Sequence, residues 1–211
     1  PDNVSVLENS TFYNCTGLKE VTLSKELTTV GEQAFQNCTS LTAVELPDGV
    51  ATIGRKAFSD CSVLANVTFP QSLTKICDNA FNNCNKLNEV KFHDELVTIE
   101  ENAFYSCKSL TEVTLPDSVM TVEDSAFSGC TALESATIGN GVQKIPSGMF
   151  NNCTSLKEVT LPKEVMVVGE QAFQNCAALT AIELPDGVML IGEGAFSDCT
   201  SLTEINIPAD V

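Results

Sequence analysis

The fold is decided by one stretch, residues 41–61, which reads LTAVELPDGVATIGRKAFSDC. Val44, Glu45 and Leu46 alternate between apolar and polar, a period of two that indicates a short β-strand with one buried face. Pro47 ends this strand, because proline has no N–H with which to continue a hydrogen-bonded ladder. The first half of the stretch therefore predicts a strand of about five residues followed by a turn.

The same pattern returns every 23 residues along the chain. Each of nine units carries a phenylalanine, a cysteine three residues later and a leucine three residues after that. The phenylalanines are Phe12, Phe35, Phe58, Phe81, Phe104, Phe127, Phe150, Phe173 and Phe196. A fixed period of this length is typical of a solenoid, whose units bury their apolar faces by stacking on their neighbours. We expect equivalent strands to pair in parallel, about 4.8 Å apart.

The second half of each unit has a different spacing. Its apolar residues, such as Val50, Ile53 and Ala57, are three or four positions apart, which predicts helical or 3₁₀ turns rather than a second long strand. We expect a left-handed backbone at the glycine that follows the Ile/Val position in four units. These glycines are Gly31, Gly54, Gly169 and Gly192. The predicted fold class is α/β: a parallel sheet with short helical or 3₁₀ turns on the other side.

The repeat fills the whole chain, so we predict a single domain over residues 1–211. Residues 1–4 and 208–211 both align with residues 47–50, and neither end carries a divergent polar cap. We therefore expect the segment to be an excerpt of a longer protein. A block of 43 residues also recurs within the chain: residues 19–61 and 157–199 match at 32 of 43 positions, six units apart.

The composition excludes some classes of partner. The formal net charge is −17, from 28 acidic and 11 basic residues. Nucleic acids and anionic lipids are bound through Lys and Arg, so the charge opposes both and favours cationic partners. Since no run of 18 apolar residues is present, we predict no membrane insertion. We expect a monomer.

The ten cysteines allow several interpretations. Nine occupy one position of the repeat, where stacked residues would lie roughly 5 Å apart, within the range of a disulfide. Their side chains would point the same way, whereas a disulfide needs them to face each other, so the pattern favours a column of buried free thiols. Zinc is disfavoured, because no Cys-x-x-Cys motif is present and the sole histidine, His93, stands at a proline position as a predicted turn residue. Cys77 lies out of register and is either an exposed, reactive thiol or a casual substitution.

Outward strand positions form two columns along the predicted sheet. One runs Thr22, Glu45, Thr68, Lys91, Thr114, Thr137, Thr160, Glu183 and Asn206. Its neighbour runs Glu20, Ala43, Asn66, Glu89, Glu112, Ser135, Glu158, Ala181 and Glu204. Threonine also suits exposed strands for packing reasons alone, so the columns are either solvated strand residues or a binding surface. Our candidate protein-binding residues are Thr22, Glu45, Thr68, Glu89, Lys91, Glu112, Thr114, Thr137, Glu158, Thr160 and Glu183.

The consensus Leu-x-x-Val/Ile-x-Leu-Pro-x-x-Val-x-x-Ile-Gly-x-x-Ala-Phe-x-x-Cys resembles the BspA-like leucine-rich repeats over the whole chain. The resemblance implies a horseshoe-like solenoid with its strands on the concave face. It also implies a surface or secreted protein, often linked to adhesion or host contact. Departures from the consensus affect local turn geometry rather than the fold. They are Ser24, His93 and Gly139 for proline, Met149 for alanine and Pro146 for glycine.

Three functional hypotheses remain. The first is a non-catalytic surface or secreted module that binds a protein, such as one on a host or neighbouring cell, through the concave strands. The second is a structural spacer or stalk that presents another domain. The third, an enzyme, lacks support: we identify no catalytic, cofactor or metal site, and paired carboxylates such as Glu100 and Glu101 are typical of solvated turns.

Overall fold

The computed structural model describes residues 3–209 and residue 211. Within these residues the chain forms sixteen short β-strands and no helix. Nine strands have two residues: β1 (Val6–Leu7), β2 (Thr29–Val30), β4 (Thr52–Ile53), β6 (Lys75–Ile76), β7 (Thr98–Ile99), β9 (Thr121–Val122), β11 (Lys144–Ile145), β13 (Val167–Val168) and β15 (Leu190–Ile191). Seven have three residues: β3 (Ala43–Glu45), β5 (Asn66–Thr68), β8 (Glu112–Thr114), β10 (Ser135–Thr137), β12 (Glu158–Thr160), β14 (Ala181–Glu183) and β16 (Glu204–Asn206).

Each strand pairs in parallel with its equivalent one unit away. Thr29 pairs with Thr52, and Ala43 pairs with Asn66, both at an offset of 23 residues. The two-residue strands form the sheets β1-β2-β4-β6-β7-β9 and β11-β13-β15. The three-residue strands form the sheets β3-β5, β12-β10-β8 and β14-β16. The predicted parallel solenoid is confirmed, although its continuation through residues 1, 2 and 210 falls outside the described residues.

The predicted helical or 3₁₀ turns are wrong. Two residues per unit, four positions apart, have a left-handed backbone, as at Gln33 (φ 57°) and Asn37 (φ 60°). The N–H groups of Gln33, Phe35 and Asn37 donate to carbonyl oxygens of the next unit, 2.7–2.8 Å away. The N–H groups of Gln36 and Cys38 instead donate to the carbonyl three residues back. Because alternate N–H groups leave the turn in this way, they are not free to form the ladder of a helix.

The glycines after the Ile/Val position are required because there is no room for a side chain, not because the backbone there is left-handed. Gly31, Gly54, Gly169 and Gly192 are absent from the positions with positive φ, so the predicted left-handed turn is wrong. A Cβ on Gly54 would lie 2.7 Å from the carbonyl oxygen of Val30, and one on Gly192 would lie 2.4 Å from the backbone nitrogen of Glu170. A side chain there would force the neighbouring unit to shift.

The interior of the solenoid is a column of stacked phenylalanine rings. Those from Phe35 to Phe173 are fully buried. Successive ring centroids are 5.1–6.0 Å apart, and the ring planes lie within 20° of each other. Buried Leu, Val and Ile side chains of both kinds of strand surround the rings in one continuous core. Burial of each ring contributes about 2–3 kcal/mol, so the column is a principal source of stability.

The sheet of two-residue strands is interrupted between β9 and β11. In other units the residue after the strand donates its N–H to the preceding unit, as Glu123 does to the Ile99 carbonyl oxygen at 2.9 Å. Pro146 occupies this position after β11 and has no N–H to donate to Val122. The rings of Phe127 and Phe150 have the widest spacing in the stack, 6.0 Å. Proline in place of glycine at position 146 therefore alters the local geometry and preserves the solenoid.

Candidate functional site

The exposed side chains of the three-residue strands, with the equivalent residues of units lacking that strand, form one surface, here called the long-strand face. In β3 the side chains of Ala43 and Glu45 are exposed, and Val44 between them packs into the core. This alternation recurs because successive residues of a strand point to opposite sides of the sheet. The long-strand face is therefore the surface on which the sequence places its candidate residues.

The pairing register brings the candidate residues of neighbouring units side by side. Thr137 of β10 pairs with Thr114 on one side and with Thr160 on the other. Ser135 pairs in the same way with Glu112 and Glu158. The candidates that lie in strands are Glu45, Thr68, Glu112, Thr114, Thr137, Glu158, Thr160 and Glu183, all exposed. The remaining candidates, Thr22, Glu89 and Lys91, are exposed but lie outside the strands.

The long-strand face is polar and acidic. Seven glutamates stand on it: Glu20, Glu45, Glu89, Glu112, Glu158, Glu183 and Glu204. Lys91 forms an ion pair with Glu89, with Nζ and Oε1 2.9 Å apart, and these side chains are 77% and 65% exposed. An exposed pair of this kind contributes only about 0–1 kcal/mol, so both groups remain available to a partner.

The strand pairing of this face is interrupted at residues 89–91, between β5 and β8, and again between β12 and β14. Neither interruption was predicted from the sequence. Phe69 and Phe92 stand where most units have leucine, and their ring centroids are 5.6 Å apart. Leu115 donates its N–H to the Thr137 carbonyl oxygen at 2.9 Å, a link between units that the structure does not show at Phe69 or Phe92. The two phenylalanines mark the interruption at residues 89–91 in the sequence, but the link is also absent at Leu161, between β12 and β14, so the bulkier rings are not required for its loss.

Shallow depressions of about 320 and 550 Å³ flank Lys91 at this interruption. Glu89, Lys91 and His93 line both. His93 Nε2 lies 3.1 Å from the carbonyl oxygen of Phe69, and the His93 carbonyl accepts a hydrogen bond from the N–H of Leu96. His93 therefore begins a turn, as predicted, and its ring is held by a backbone carbonyl.

The cysteines form the predicted column of thiols, and each cysteine of the chain is free. Seven are fully buried: Cys38, Cys61, Cys84, Cys107, Cys130, Cys153 and Cys176. Cys15 is exposed, Cys199 is half-buried, and the out-of-register Cys77 is also half-buried. The thiol of Cys61 donates to the carbonyl oxygen of Phe35, 3.1 Å away in the preceding unit, and the same contact recurs along the column. The column thus links consecutive units.

Burial makes Cys130, Cys176 and Cys77 poor nucleophiles. It raises the pKa of Cys130 and of Cys176 to about 12. The pKa of Cys77 is raised to about 11, first by burial and then by the nearby Glu100 carboxylate. The thiolate is the reactive form of cysteine, so these groups are unreactive at neutral pH.

Within residues 3–209 and residue 211, no three His, Cys, Asp or Glu side chains are grouped so as to hold a metal ion. No helix of the described residues has the length and apolarity needed to cross a membrane.

A parallel solenoid of 23-residue turns, with leucine, phenylalanine and cysteine stacked in register, defines a leucine-rich repeat protein. The sequence matches the BspA type leucine-rich repeat region in six copies, over residues 1–111 and 97–211. The chain belongs to that family. Leucine-rich repeat proteins of this kind are generally non-enzymatic binding or structural modules.

Three solved structures illustrate the similarity. A leucine-rich repeat protein of T. pallidum is 36% identical, with a TM-score of 0.71 and coverage of 72% of each chain. A leucine-rich repeat protein of Bacteroides ovatus is 24% identical, with a TM-score of 0.62 over all of this chain and 72% of the other. A leucine-rich cell surface protein of Faecalibacterium prausnitzii is 27% identical, with a TM-score of 0.55 over 98% of this chain and 77% of the other. Among curated proteins none matches the sequence significantly.

Proposed function

We propose that the chain is a non-catalytic protein-binding module of a cell-surface or secreted protein, and that the long-strand face contacts the partner. The observation that carries this proposal is the register of Thr114, Thr137 and Thr160, which aligns exposed side chains over three adjacent units. Such a surface offers the same chemistry at intervals of about 4.8 Å. It suits an extended contact with another protein.

The composition of the face defines the kind of contact. Aromatic and arginine side chains, which anchor most tight interfaces, are absent from the two columns of candidate residues. The depressions beside Lys91 are shallow and open, so they do not form a deep pocket for a small ligand. We therefore propose a weak contact, strengthened by many copies of the module at an adhesive surface. Glutamate on the face and the net charge of −17 favour a cationic partner surface.

Two observations support a location at the cell surface or outside the cell. Members of the BspA-type family are often surface or secreted proteins. The similar protein from Faecalibacterium prausnitzii is described as a cell surface protein. At such a location the partner would be a protein of a host or of a neighbouring cell.

The proposal is tested by binding to a panel of purified extracellular proteins, with the wild-type chain immobilised on a sensor. We expect at least one basic protein of the panel to bind. The triple variant Glu89→Lys, Glu112→Lys and Glu158→Lys should bind it at least about tenfold more weakly, a loss of about 1.4 kcal/mol. Removing three carboxylates from the contact also reduces the salt dependence of binding.

A control variant distinguishes an effect of the long-strand face from an effect of the overall net charge. The triple variant Glu8→Lys, Glu32→Lys and Glu101→Lys changes the charge by the same amount at positions outside the strands and away from the long-strand face. Equal loss of affinity in the two triple variants would mean that binding reports overall charge, and would overturn the assignment of the face.

A structural spacer is the second candidate function. It is favoured by the continuous stack of rings from Phe12 to Phe196, which supports a rigid rod. A spacer would bind no member of the panel. Neither triple variant would change the activity of a domain that the spacer presents.

A further inference from the structure

The two copies of the internal block differ on the opposite sheet, that of the two-residue strands. Residues 19–61 and 157–199 are identical at 32 of 43 positions. Four of the eleven differences fall at the first residue of a two-residue strand or at the residue before it, at β2 and β4 in the first copy and at β13 and β15 in the second. The first copy has Thr28, Thr29, Ala51 and Thr52, and the second has Met166, Val167, Met189 and Leu190. We call these last four residues the short-strand patch.

The short-strand patch is contiguous, and three of its four side chains are exposed, whereas Val167 is half-buried. Val167 of β13 pairs with Leu190 of β15, and the N–H of Met189 donates to the Met166 carbonyl oxygen at 2.9 Å. The exposed fractions are 40% for Met166, 58% for Met189 and 55% for Leu190. The core does not need these side chains, because the equivalent positions of the first copy hold threonine and alanine in the same fold. Apolar residues at such positions mark an interaction surface.

The patch continues toward the interrupted sheet beside Pro146. Met120, which is 68% exposed, occupies the same position of the repeat as Met166 and Met189. A shallow depression of about 470 Å³ beside it is lined by Met120, Val122, Gln143 and Lys144, and Lys144 is the one basic side chain among its lining residues. From Met120 to Met189 is three units, or roughly 14 Å, which matches about ten residues of α-helix.

A charge is also reversed at the margin of the patch. In the first copy Arg55 pairs with Glu32, with Nη1 and Oε1 3.1 Å apart. In the second copy, Glu193 stands at the position of Arg55, and Glu170 stands at the position of Glu32. Two exposed carboxylates therefore stand where the first copy has an ion pair. An apolar strip with an acidic margin complements a basic partner.

We propose that the short-strand patch binds a basic amphipathic segment of another protein. Its apolar side chains would contact Met166, Met189 and Leu190, and its Lys or Arg side chains would meet Glu170 and Glu193. Methionine suits this use, since its flexible and polarisable side chain adapts to different partners. The site lies on a different sheet from the long-strand face and does not depend on the function proposed for that face.

The probe is a short synthetic peptide of leucine and lysine, arranged with helical period and carrying a fluorophore. Binding is followed by fluorescence anisotropy. The variant Met166→Thr, Met189→Ala and Leu190→Thr restores the residues of the first copy, so it keeps the fold. We expect its affinity to fall at least about tenfold, because the apolar contact is removed and all charges remain. A peptide of the same composition in scrambled order should bind the wild-type chain no better than it binds this variant.

Two further variants sharpen the test. Glu193→Arg restores the first copy's charge and should weaken binding while reducing its dependence on salt. The reciprocal variant Thr28→Met, Ala51→Met, Thr52→Leu and Arg55→Glu should create a second site and raise the stoichiometry from one peptide to two. Gain of a site cannot arise from misfolding.

Three outcomes would overturn the proposal. The peptide could bind the wild-type chain and the Met166, Met189 and Leu190 variant equally. Binding could instead be lost only in the Glu89, Glu112 and Glu158 variant, which would move the contact to the long-strand face. Sedimentation could also show a wild-type dimer that the Met166, Met189 and Leu190 variant dissociates, which would make the patch an interface between two copies.

Discussion

The thiol of Cys107 donates a hydrogen bond to the carbonyl oxygen of Phe81, 3.3 Å away in the preceding unit. The same carbonyl accepts the N–H of Cys84 at 3.1 Å. One buried oxygen thus accepts a backbone donor from its own unit and a thiol from the next. The arrangement gives cysteine a role that alanine or valine lacks, because only the thiol links the units by a hydrogen bond.

Replacing this thiol should destabilise the solenoid modestly. We expect Cys107→Ala to lower the free energy of unfolding by about 1–2 kcal/mol, since it removes a weak hydrogen bond and leaves a small cavity. Urea denaturation followed by circular dichroism measures the change. Cys15→Ala is the matched control, because Cys15 is exposed, and its effect should stay within about 0.5 kcal/mol. Equal midpoints for the two variants would contradict a linking role for the buried thiol.

The raised pKa values of the buried thiols other than Cys38 predict a loss of stability in alkali. The pKa of Cys130 is about 12 in the folded chain, against an ordinary value of 9.0. Between these values the unfolded chain loses a proton that the folded chain keeps, so the free energy of unfolding falls as pH rises from 9 toward 12. Each such thiol lowers it by up to about 1.4 kcal/mol per pH unit. Urea titrations at several alkaline pH values should show a shallower fall for Cys130→Ala than for the wild-type chain; identical slopes would count against the burial of this thiol.

Thiol titration distinguishes the column of free thiols from disulfides. We expect Cys15 to react rapidly with Ellman's reagent in the native chain, whereas the buried thiols react only on unfolding. In denaturant without reductant, all ten should react. A count well below ten would indicate disulfides and refute this structure of the column.

The interruption beside Pro146 should be visible in hydrogen exchange. Amides of Gln143 and Lys144 should exchange faster than those of Met166 and Val167, which lie in an intact ladder. Pro146→Ala supplies the missing N–H to the carbonyl of Val122 and should slow exchange at residues 143 and 144. Unchanged exchange in this variant would show that proline is not what separates β9 from β11.

The sequence predicts the core and the exposed columns because both follow from short periods. Val44 and Leu46 alternate around Glu45, so two inward positions and one outward position follow directly. The left-handed turns were missed because they occur at residues that rarely adopt positive φ, such as Gln33 and Lys56. Asn37 and its equivalents were the available signal, since asparagine tolerates that conformation better than most residues.

Two features of the surface could not be predicted from the repeat, because they depend on how the units pack together. The two-residue strands, such as Thr52–Ile53, are too short to show an alternation. The interruptions between β5 and β8 and between β12 and β14 depend on how whole units stack, because the three-residue pattern continues through both. The exposure of the columns was therefore predicted correctly, and the breaks in their strand pairing were not.

The most direct test of the binding face compares one substitution on the two sheets. Thr137 in β10 and Thr121 in β9 are both exposed strand threonines, so Thr137→Arg and Thr121→Arg are matched in size, charge and setting. Affinity for the extracellular protein found in the panel is measured for each. We expect Thr137→Arg to weaken binding at least about tenfold and Thr121→Arg to leave it unchanged. Equal affinities, or a loss confined to Thr121→Arg, would contradict the long-strand face as the binding surface.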